Sequence, residues 1–124
     1  MSVGNTICWA DIPVVDLDRA IRFYSAMLGQ PVRKEAMEGF AFGLRPHSDS
    51  NVSGCLAVLP DSQPSATGPL LYFSVDGRFD EALEAARQEG GTVLMERHAI
   101  GPHGFRAVLL DSEGNRIALH ENPR

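Results

Sequence analysis

Cysteine is scarce in this sequence of 124 residues, which contains only Cys8 and Cys55. The two lie far apart and form neither a CxxC motif nor a spacing typical of zinc ligands, so both kinds of site are excluded. Two isolated thiols fit a reducing compartment, and we interpret them as small buried side chains.

Basic charge is also lacking, because 11 Lys and Arg stand against 16 Asp and Glu and the formal net charge is −5. A protein that follows a phosphate backbone needs a basic face. We therefore expect no nucleic-acid partner. The acidic balance is a weak argument for a cationic ligand.

Long apolar runs are absent as well. No stretch approaches the roughly 20 apolar residues that a membrane span needs. The first residues, MSVGNTICWADIP, show neither a basic start nor the apolar segment of a secretory signal. We expect no membrane partner and a cytoplasmic location. The composition, 44% hydrophobic and 22% charged, is typical of an ordered domain, and the length predicts a single domain over 1–124.

The sequence contains a weak internal repeat, with residues 14–32 resembling residues 75–93 at an offset of 62. The matching pairs are Asp18 with Asp80, Ala20 with Ala82, Ile21 with Leu83, and Gly29 with Gly91. Each copy has an apolar stripe at helical spacing that ends at glycine. In the first copy Asp16 or Asp18 can cap the helix start.

Strand-like segments surround each helix, so each half is predicted to have the order β-α-β-β-β. Module one covers about 1–60, a linker rich in Pro, Ser and Gly covers about 60–69, and module two covers about 70–124. A polar loop is predicted at 45–51. The fold class is α+β: two tandem modules form a curved mixed sheet or half-barrel with the helices outside, an architecture that can enclose a ligand.

Three segments together carry a family resemblance: IPVVDLDRAIRFYSAMLG, LYFSVDGRFDEALEAARQEGGTV and GFRAVLLDSEGNRIALHE. In this order the chain resembles the vicinal oxygen chelate superfamily, which includes glyoxalase I, bleomycin-resistance proteins and extradiol dioxygenases. The resemblance covers most of the chain and implies the half-barrel fold. It does not fix the reaction.

The resemblance also implies where a metal would bind. Metal-dependent members carry His, Gln or Glu ligands on the first and last strand of each half. Three of these positions correspond to Trp9, Leu70 and Ala118, and residues 52–59 offer no His, Gln, Asp or Glu for the fourth. We therefore predict that the metal site is lost and that no cofactor is bound, with a divalent metal kept as the alternative.

Side chains alternate along a strand, so the positions of Trp9, Leu70 and Ala118 define which residues face the cavity. The predicted ligand-binding residues are Trp9, Asp11, Leu70, Tyr72, His103, Phe105, Ala118 and His120. Trp9 either stacks on a ligand or fills the core. Asp11 and His120 are candidate catalytic residues, although Asp11 could equally pair with Arg116 or His120, meet a cationic ligand, or reach water.

The loop between His98 and Gly104 is predicted to close over the ligand. Arg106, which alternates with Phe105, is expected at the surface or in a subunit contact.

Three functions stay open at this point. The first is a metal-free binding protein of the bleomycin-resistance kind that takes a small apolar or aromatic molecule. The second is an enzyme, either a metal-dependent glyoxalase-type lyase or extradiol-type dioxygenase, or a metal-free enzyme using Asp11 and His120. The third is a structural or regulatory module. Exposed sheet edges predict a homodimer.

Overall fold

The computed structural model describes residues 7–37, 39–44 and 53–123. The polar loop predicted at 45–51 lies outside these residues. The first module contains β1 Trp9–Pro13, α1 Leu17–Leu28, β2 Arg33–Met37, β3 Phe40–Leu44 and β4 Ser53–Ala57. The second contains β5 Leu71–Ser74, α2 Phe79–Gln88, β6 Thr92–Ala99, a 3₁₀ turn Gly101–His103, β7 Phe105–Leu110 and β8 Arg116–Glu121. The predicted β-α-β-β-β order is confirmed in both halves.

Each module forms one four-stranded mixed sheet, in the orders β1-β4-β3-β2 and β5-β8-β7-β6. In both sheets the first strand pairs in parallel with the last strand, and the remaining pairs are antiparallel. The helix supplies the crossover that a parallel pair requires. The mixed sheet predicted from the sequence is therefore confirmed, and the two modules repeat the same topology.

The helix α1 begins after Asp16, one of the two caps that the sequence offers, and ends at Gly29 as the sequence predicts. The side chain of Asp16 accepts a hydrogen bond from the Arg19 amide at 3.1 Å, which caps the first turn. Gly29 ends the helix with a φ of 70°, a left-handed conformation that favours glycine. Among the described residues no helix is long and apolar enough to cross a membrane.

The helix α2 has no side-chain cap at its start, where Arg78 precedes it. Instead, the Arg78 guanidinium donates to the carbonyl oxygen of Met27 in the last turn of α1, at 2.6 Å. A cation at a helix C-terminus is electrostatically favourable. The two helices also pack against each other, so α2 stabilises the end of α1 while burying its own apolar stripe.

One hydrophobic core joins both modules. It contains the buried residues of both helices together with alternate residues of several strands, including Ile12, Leu56, Phe73, Leu109 and Leu119. Because this core lies on the helix side of both sheets, the alternate side chains point to the opposite face of each sheet.

The turn between β7 and β8 also connects the modules, through the buried carboxylate of Glu113. Its oxygens accept hydrogen bonds from the amides of Val15 and Asp16 at 2.8 and 2.7 Å, and from the Arg19 guanidinium at 2.7 Å. Burial alone would raise the pKa of Glu113, but these bonds together with one from Ser112 lower it to about 2. Glu113 is therefore ionised at neutral pH and joins the start of α1 to the second module.

Two further side chains of this turn reach the first module. The carboxylate of Asp111 accepts from the Tyr24 hydroxyl at 2.5 Å. The amide nitrogen of Asn115 donates to the carbonyl oxygen of Pro13 at 2.8 Å, and its oxygen accepts from the amide of Ser65 in the linker. The polar residues of the DSEGN segment therefore hold the two modules and the linker together.

Candidate functional site

The open face is our name for the side of each sheet that points away from the helices. It carries Trp9, Asp11 and Cys55 in the first sheet, and Tyr72, Ala118, Arg106 and His120 in the second. Strand alternation predicts that Trp9 and Asp11 share a face, and that Ala118 and His120 share a face. The structure has both pairs in this arrangement. Whether these residues bind a ligand stays a prediction.

In the first sheet the open face contains a small hydrogen-bonded group around Asp11. One carboxylate oxygen accepts from the Trp9 indole at 3.2 Å and from the Cys55 thiol at 3.1 Å. The described contacts of Asp11 are therefore with these two side chains rather than with Arg116 or His120. The Trp9 side chain nevertheless remains 41% exposed, so it does not fill the core.

The pairing of β1 with β4 settles the register that the sequence left open. Asp11 lies opposite Cys55, just as Tyr72 lies opposite Ala118 in the second sheet. Cys55 therefore occupies the position in module one that Ala118 occupies in module two. The prediction that both cysteines are buried is wrong for Cys8, which is exposed, while Cys55 is half-buried.

The residues at the four inferred ligand positions do not fit a metal ion. They are an indole, a thiol and two aliphatic side chains, at Trp9, Cys55, Leu70 and Ala118. An indole nitrogen only donates, and alkyl groups offer no lone pair, so a single thiol is left. Within the part of the chain that the structure describes, His, Cys, Asp and Glu form no group of three or more that could hold a metal.

Two aromatic side chains on the open face were not identified from the sequence. The rings of Phe40 and Phe42 stack at a centroid distance of 5.9 Å, and Phe42 lies opposite Ala57 in β4. The signal was present in the segment GFAFGL. Gly43 faces α1, where an added Cβ would lie 2.9 Å from Ile21, and this places Phe42 on the other side.

In the second sheet a polar row crosses all four strands of the open face. Ser74, His120, Arg106 and His98 lie opposite one another in consecutive strands. We call these four residues the polar row. Residues that are directly opposite share a face and have their Cβ atoms close together.

Hydrogen bonds fix the orientation of Arg106 in the polar row. Its Nε donates to Nε2 of His98 at 3.0 Å, and its Nη1 donates to the Tyr72 hydroxyl at 2.6 Å. Since His98 accepts at Nε2, its proton lies on Nδ1, which donates to the Glu96 carbonyl oxygen at 2.8 Å. Arg106 is therefore held from two sides by neutral groups.

His120 is held by the loop that follows β6. Its Nε2 lies 2.8 Å from the His103 carbonyl oxygen, and because a carbonyl only accepts, Nε2 carries the proton. The His120 ring also meets the Tyr72 ring edge to face at 6.4 Å. The imidazole of His103 is exposed, so this residue reaches the open face through its backbone.

An apolar row lies beside the polar row and consists of Tyr72, Ala118, Val108 and Met95. Tyr72 is 47% and Met95 45% exposed, whereas Ala118 is fully buried. A ligand on this row would touch Tyr72 and Met95, and would reach Ala118 only if a neighbouring side chain moved. Leu70, predicted as a pocket residue, is half-buried just before β5.

The structure places Phe105 on the helix side of its sheet and not beside Tyr72, and whether Phe105 contacts a ligand stays a prediction. Phe105 lies opposite Glu121, and the Arg97 guanidinium lies over its ring at 4.4 Å from the centroid. Arg106 consequently lies on the open face of the second sheet. Each face of β7 carries mostly apolar side chains, so the periodicity of the sequence could not show which face is turned toward the helices.

Two cavities of about 290 Å³ each lie near these residues. One lies beneath the linker and is lined by residues of β1, the linker and β8, including Asp11, Gln63 and Arg116. The other is lined by Arg97, Phe105 and the glycines of the turn before β7.

The comparisons with known proteins agree with this fold. Residues 6–119 match the family described as the Glyoxalase/Bleomycin resistance protein/Dioxygenase superfamily. A glyoxylase-like domain-containing protein from Didymella fabae is 28% identical over 133 residues, covering 99% of this chain and 98% of that protein.

Solved structures show the same architecture. A glyoxalase/bleomycin resistance protein from Albidiferax ferrireducens aligns with a TM-score of 0.74 and 23% identity, over 96% of this chain and all of that one. The fosfomycin resistance protein FosX from Listeria monocytogenes aligns with a TM-score of 0.63 and 16% identity, over 99% of this chain and 96% of its own. With the family match over nearly its whole length, the chain belongs to the glyoxalase/bleomycin resistance protein/dioxygenase superfamily.

Proposed function

We propose that this protein binds a small aromatic or otherwise apolar molecule on its open face, with no metal ion at the four inferred ligand positions. The observation that carries the proposal is Trp9. It stands where the resemblance implies a metal ligand, and it offers a partly exposed indole that is oriented by Asp11. An aromatic ring there supplies a stacking surface in place of a coordinate bond.

Other residues of the open face support the same proposal. Phe40 on the first sheet, and Tyr72 and Met95 on the second, are each more than 40% exposed on the open face of their own sheet. Exposed apolar side chains that share a face mark surfaces for ligands or partners. A few polar groups beside apolar walls are typical of small-molecule sites.

Calorimetric titration provides the test, because 2-naphthol is itself fluorescent and overlaps the emission of the single tryptophan. Chelator-treated protein is expected to bind 2-naphthol saturably. Trp9→Ala is expected to weaken binding of 2-naphthol, measured by calorimetry, by about tenfold, the loss of one stacked aromatic contact. Val15→Ala removes an exposed apolar side chain outside the sheets and should leave binding unchanged.

The metal-dependent alternative has a direct test of its own. Protein purified without chelator is analysed for bound metal, and nickel, zinc and iron are tested for activity on the methylglyoxal–glutathione adduct. The proposal predicts substoichiometric metal and no turnover. Stoichiometric metal with metal-dependent turnover would contradict it and favour a glyoxalase-type lyase.

We further propose that two chains associate and that the protein acts in the cytoplasm. Open sheets have edge strands with unpaired backbone groups, which a second copy can cover. The thiol state of Cys8 and Cys55 suits a reducing compartment. Light scattering is expected to give twice the 13.5 kDa of one chain, and a monomer at micromolar concentration would contradict the dimer.

A further inference from the structure

We infer that the polar row, together with Tyr72, binds an oxyanion (a carboxylate or a phosphate) carried by the aromatic ligand. This inference rests on the proposed function and specifies the charge of its ligand. The net charge of the chain was a weak argument for a cationic ligand. The inference differs from it because the open face of the second sheet carries a positive group, Arg106, although the chain as a whole is acidic.

The central observation is that Arg106 has no ion-pair partner within the described ranges. Both of its hydrogen bonds go to neutral atoms, Nε2 of His98 and the hydroxyl of Tyr72. Arg97, the half-buried arginine on the other face of the same sheet, pairs with Glu121 at 2.7 Å. A partly buried cation without a counter-ion is costly, and an anionic ligand would compensate it.

The carboxylates nearest in sequence to the two histidines of the polar row are occupied elsewhere, and Asp76, two residues after Ser74, accepts hydrogen bonds from Asn122 at 2.8 Å. Glu96 pairs with Arg87 of α2 at 2.6 Å. Glu121 is buried on the helix side of β8, where it pairs with Arg97. Neither acid therefore neutralises Arg106, and an anion approaching the open face meets a positive group.

Arg106 is also oriented in advance. The bonds from Nε and Nη1 leave Nη2 and the second hydrogen of Nη1 for another acceptor. A guanidinium presents its donors in a fixed planar fork that matches the two oxygens of a carboxylate or phosphate. Holding the fork from two sides lowers the entropy lost when a ligand binds.

Tyr72 provides a second donor at the same place. Its hydroxyl oxygen accepts from Arg106, so its own proton is available to a ligand oxygen. The Tyr72 ring belongs to the apolar row, while its hydroxyl contacts the polar row. A ligand with an aromatic body and a charged oxyanion would therefore fit both rows at once.

The test uses naphthalene probes that differ in charge: 2-naphthoate, 2-naphthyl phosphate, neutral 2-naphthylmethanol and cationic 2-naphthylmethylamine. The inference predicts that at least one anion binds the wild-type chain about tenfold or more tightly than the alcohol, the contribution typical of hydrogen bonds to a charged group. The two anions distinguish a carboxylate from a phosphate.

Substitution of Arg106 identifies the residue responsible. Arg106→Gln should lose the preference for the anion, while its affinity for the alcohol changes less than about twofold; Arg106→Lys should retain part of the preference. Arg22→Gln, an exposed site on α1, removes the same charge and should change neither affinity. Circular dichroism and melting temperature confirm that each variant is folded.

The outcomes separate this inference from the proposed function. Equal binding of alcohol and anions, a preference for the amine, or an anion preference that survives Arg106→Gln would overturn the inference and leave aromatic binding intact. If none of the four probes binds, the proposed function fails, and the inference fails with it.

Discussion

Glu113 shows at the scale of one residue how a carboxylate can be buried and still favour folding. Its side chain is fully buried, yet two backbone amides and the Arg19 guanidinium donate to it. Because these hydrogen bonds favour the ionised carboxylate, they lower the pKa of Glu113 from 4.5 to about 2. Glu113 therefore has a structural role: its side chain joins the turn between β7 and β8 to the N-terminus of α1.

The depressed pKa predicts a pH dependence with a definite sign. Ionised Glu113 stabilises the fold above pH 4.5, and this contribution is lost as the pH falls towards about 2. Glu113→Gln should therefore lower the free energy of unfolding at pH 7 by about 2 to 3 kcal/mol. Urea denaturation of both proteins at a series of pH values measures this difference.

The difference between wild type and Glu113→Gln should shrink as the pH approaches 2. Asp61→Asn, which neutralises an exposed acid in the linker, should remain within about 0.5 kcal/mol of wild type throughout. A pH-independent gap would show that the variant loses packing and not charge.

At the scale of elements, the helices were predictable and the faces of β7 were not. In α1 the apolar stripe, the Asp16 cap and Gly29 all indicate the same helix, and the structure confirms it. In β7 both alternating sets contain apolar residues, and only the pairing of Arg106 with His120 determines the face. Such pairing depends on contacts between strands that no local pattern encodes.

Only some residues of the open face could be predicted, because others depend on the pairing between strands. The family resemblance implied the position of Trp9, and strand alternation then placed Asp11 on the same face. The role of Arg106 depends on its bonds to Tyr72 and His98, which come from separate strands. The four-strand polar row becomes visible only when the register of β5, β6, β7 and β8 is known.

The assignment of Phe105 to the helix side has a measurable consequence. Phe105→Ala removes a half-buried ring and its contact with the Arg97 guanidinium. It should lower the free energy of unfolding by about 2 kcal/mol, while the affinity for 2-naphthylmethanol stays within about twofold of wild type. Weaker binding with unchanged stability would place Phe105 on the open face after all.

At the scale of the whole molecule, a chain with two similar modules behaves as one packing unit. The core contains residues of both modules, and the Arg78–Met27, Tyr24–Asp111 and Glu113–Arg19 contacts cross between them. Neither sheet has a core of its own that is independent of the other. The open faces, by contrast, carry exposed aromatic groups that the core does not use.

A shared core predicts cooperative unfolding. Scanning calorimetry should show a single unfolding transition. Once the dissociation of any dimer is included in the fit, the calorimetric enthalpy should equal the van't Hoff enthalpy. Two resolved transitions at a protein concentration where the oligomeric state is constant would indicate modules that unfold separately.

The most direct test of the account is to locate bound 2-naphthol by NMR on chelator-treated protein. The shifts are expected to concentrate in the Trp9 indole and in the amides of the strands that carry the open-face residues, β1 and β3 to β8, with α1 and α2 unaffected. Shifts confined to the cavity beneath the linker or to the surroundings of Arg97 and Phe105, or binding that appears only after a divalent metal is restored, would contradict it.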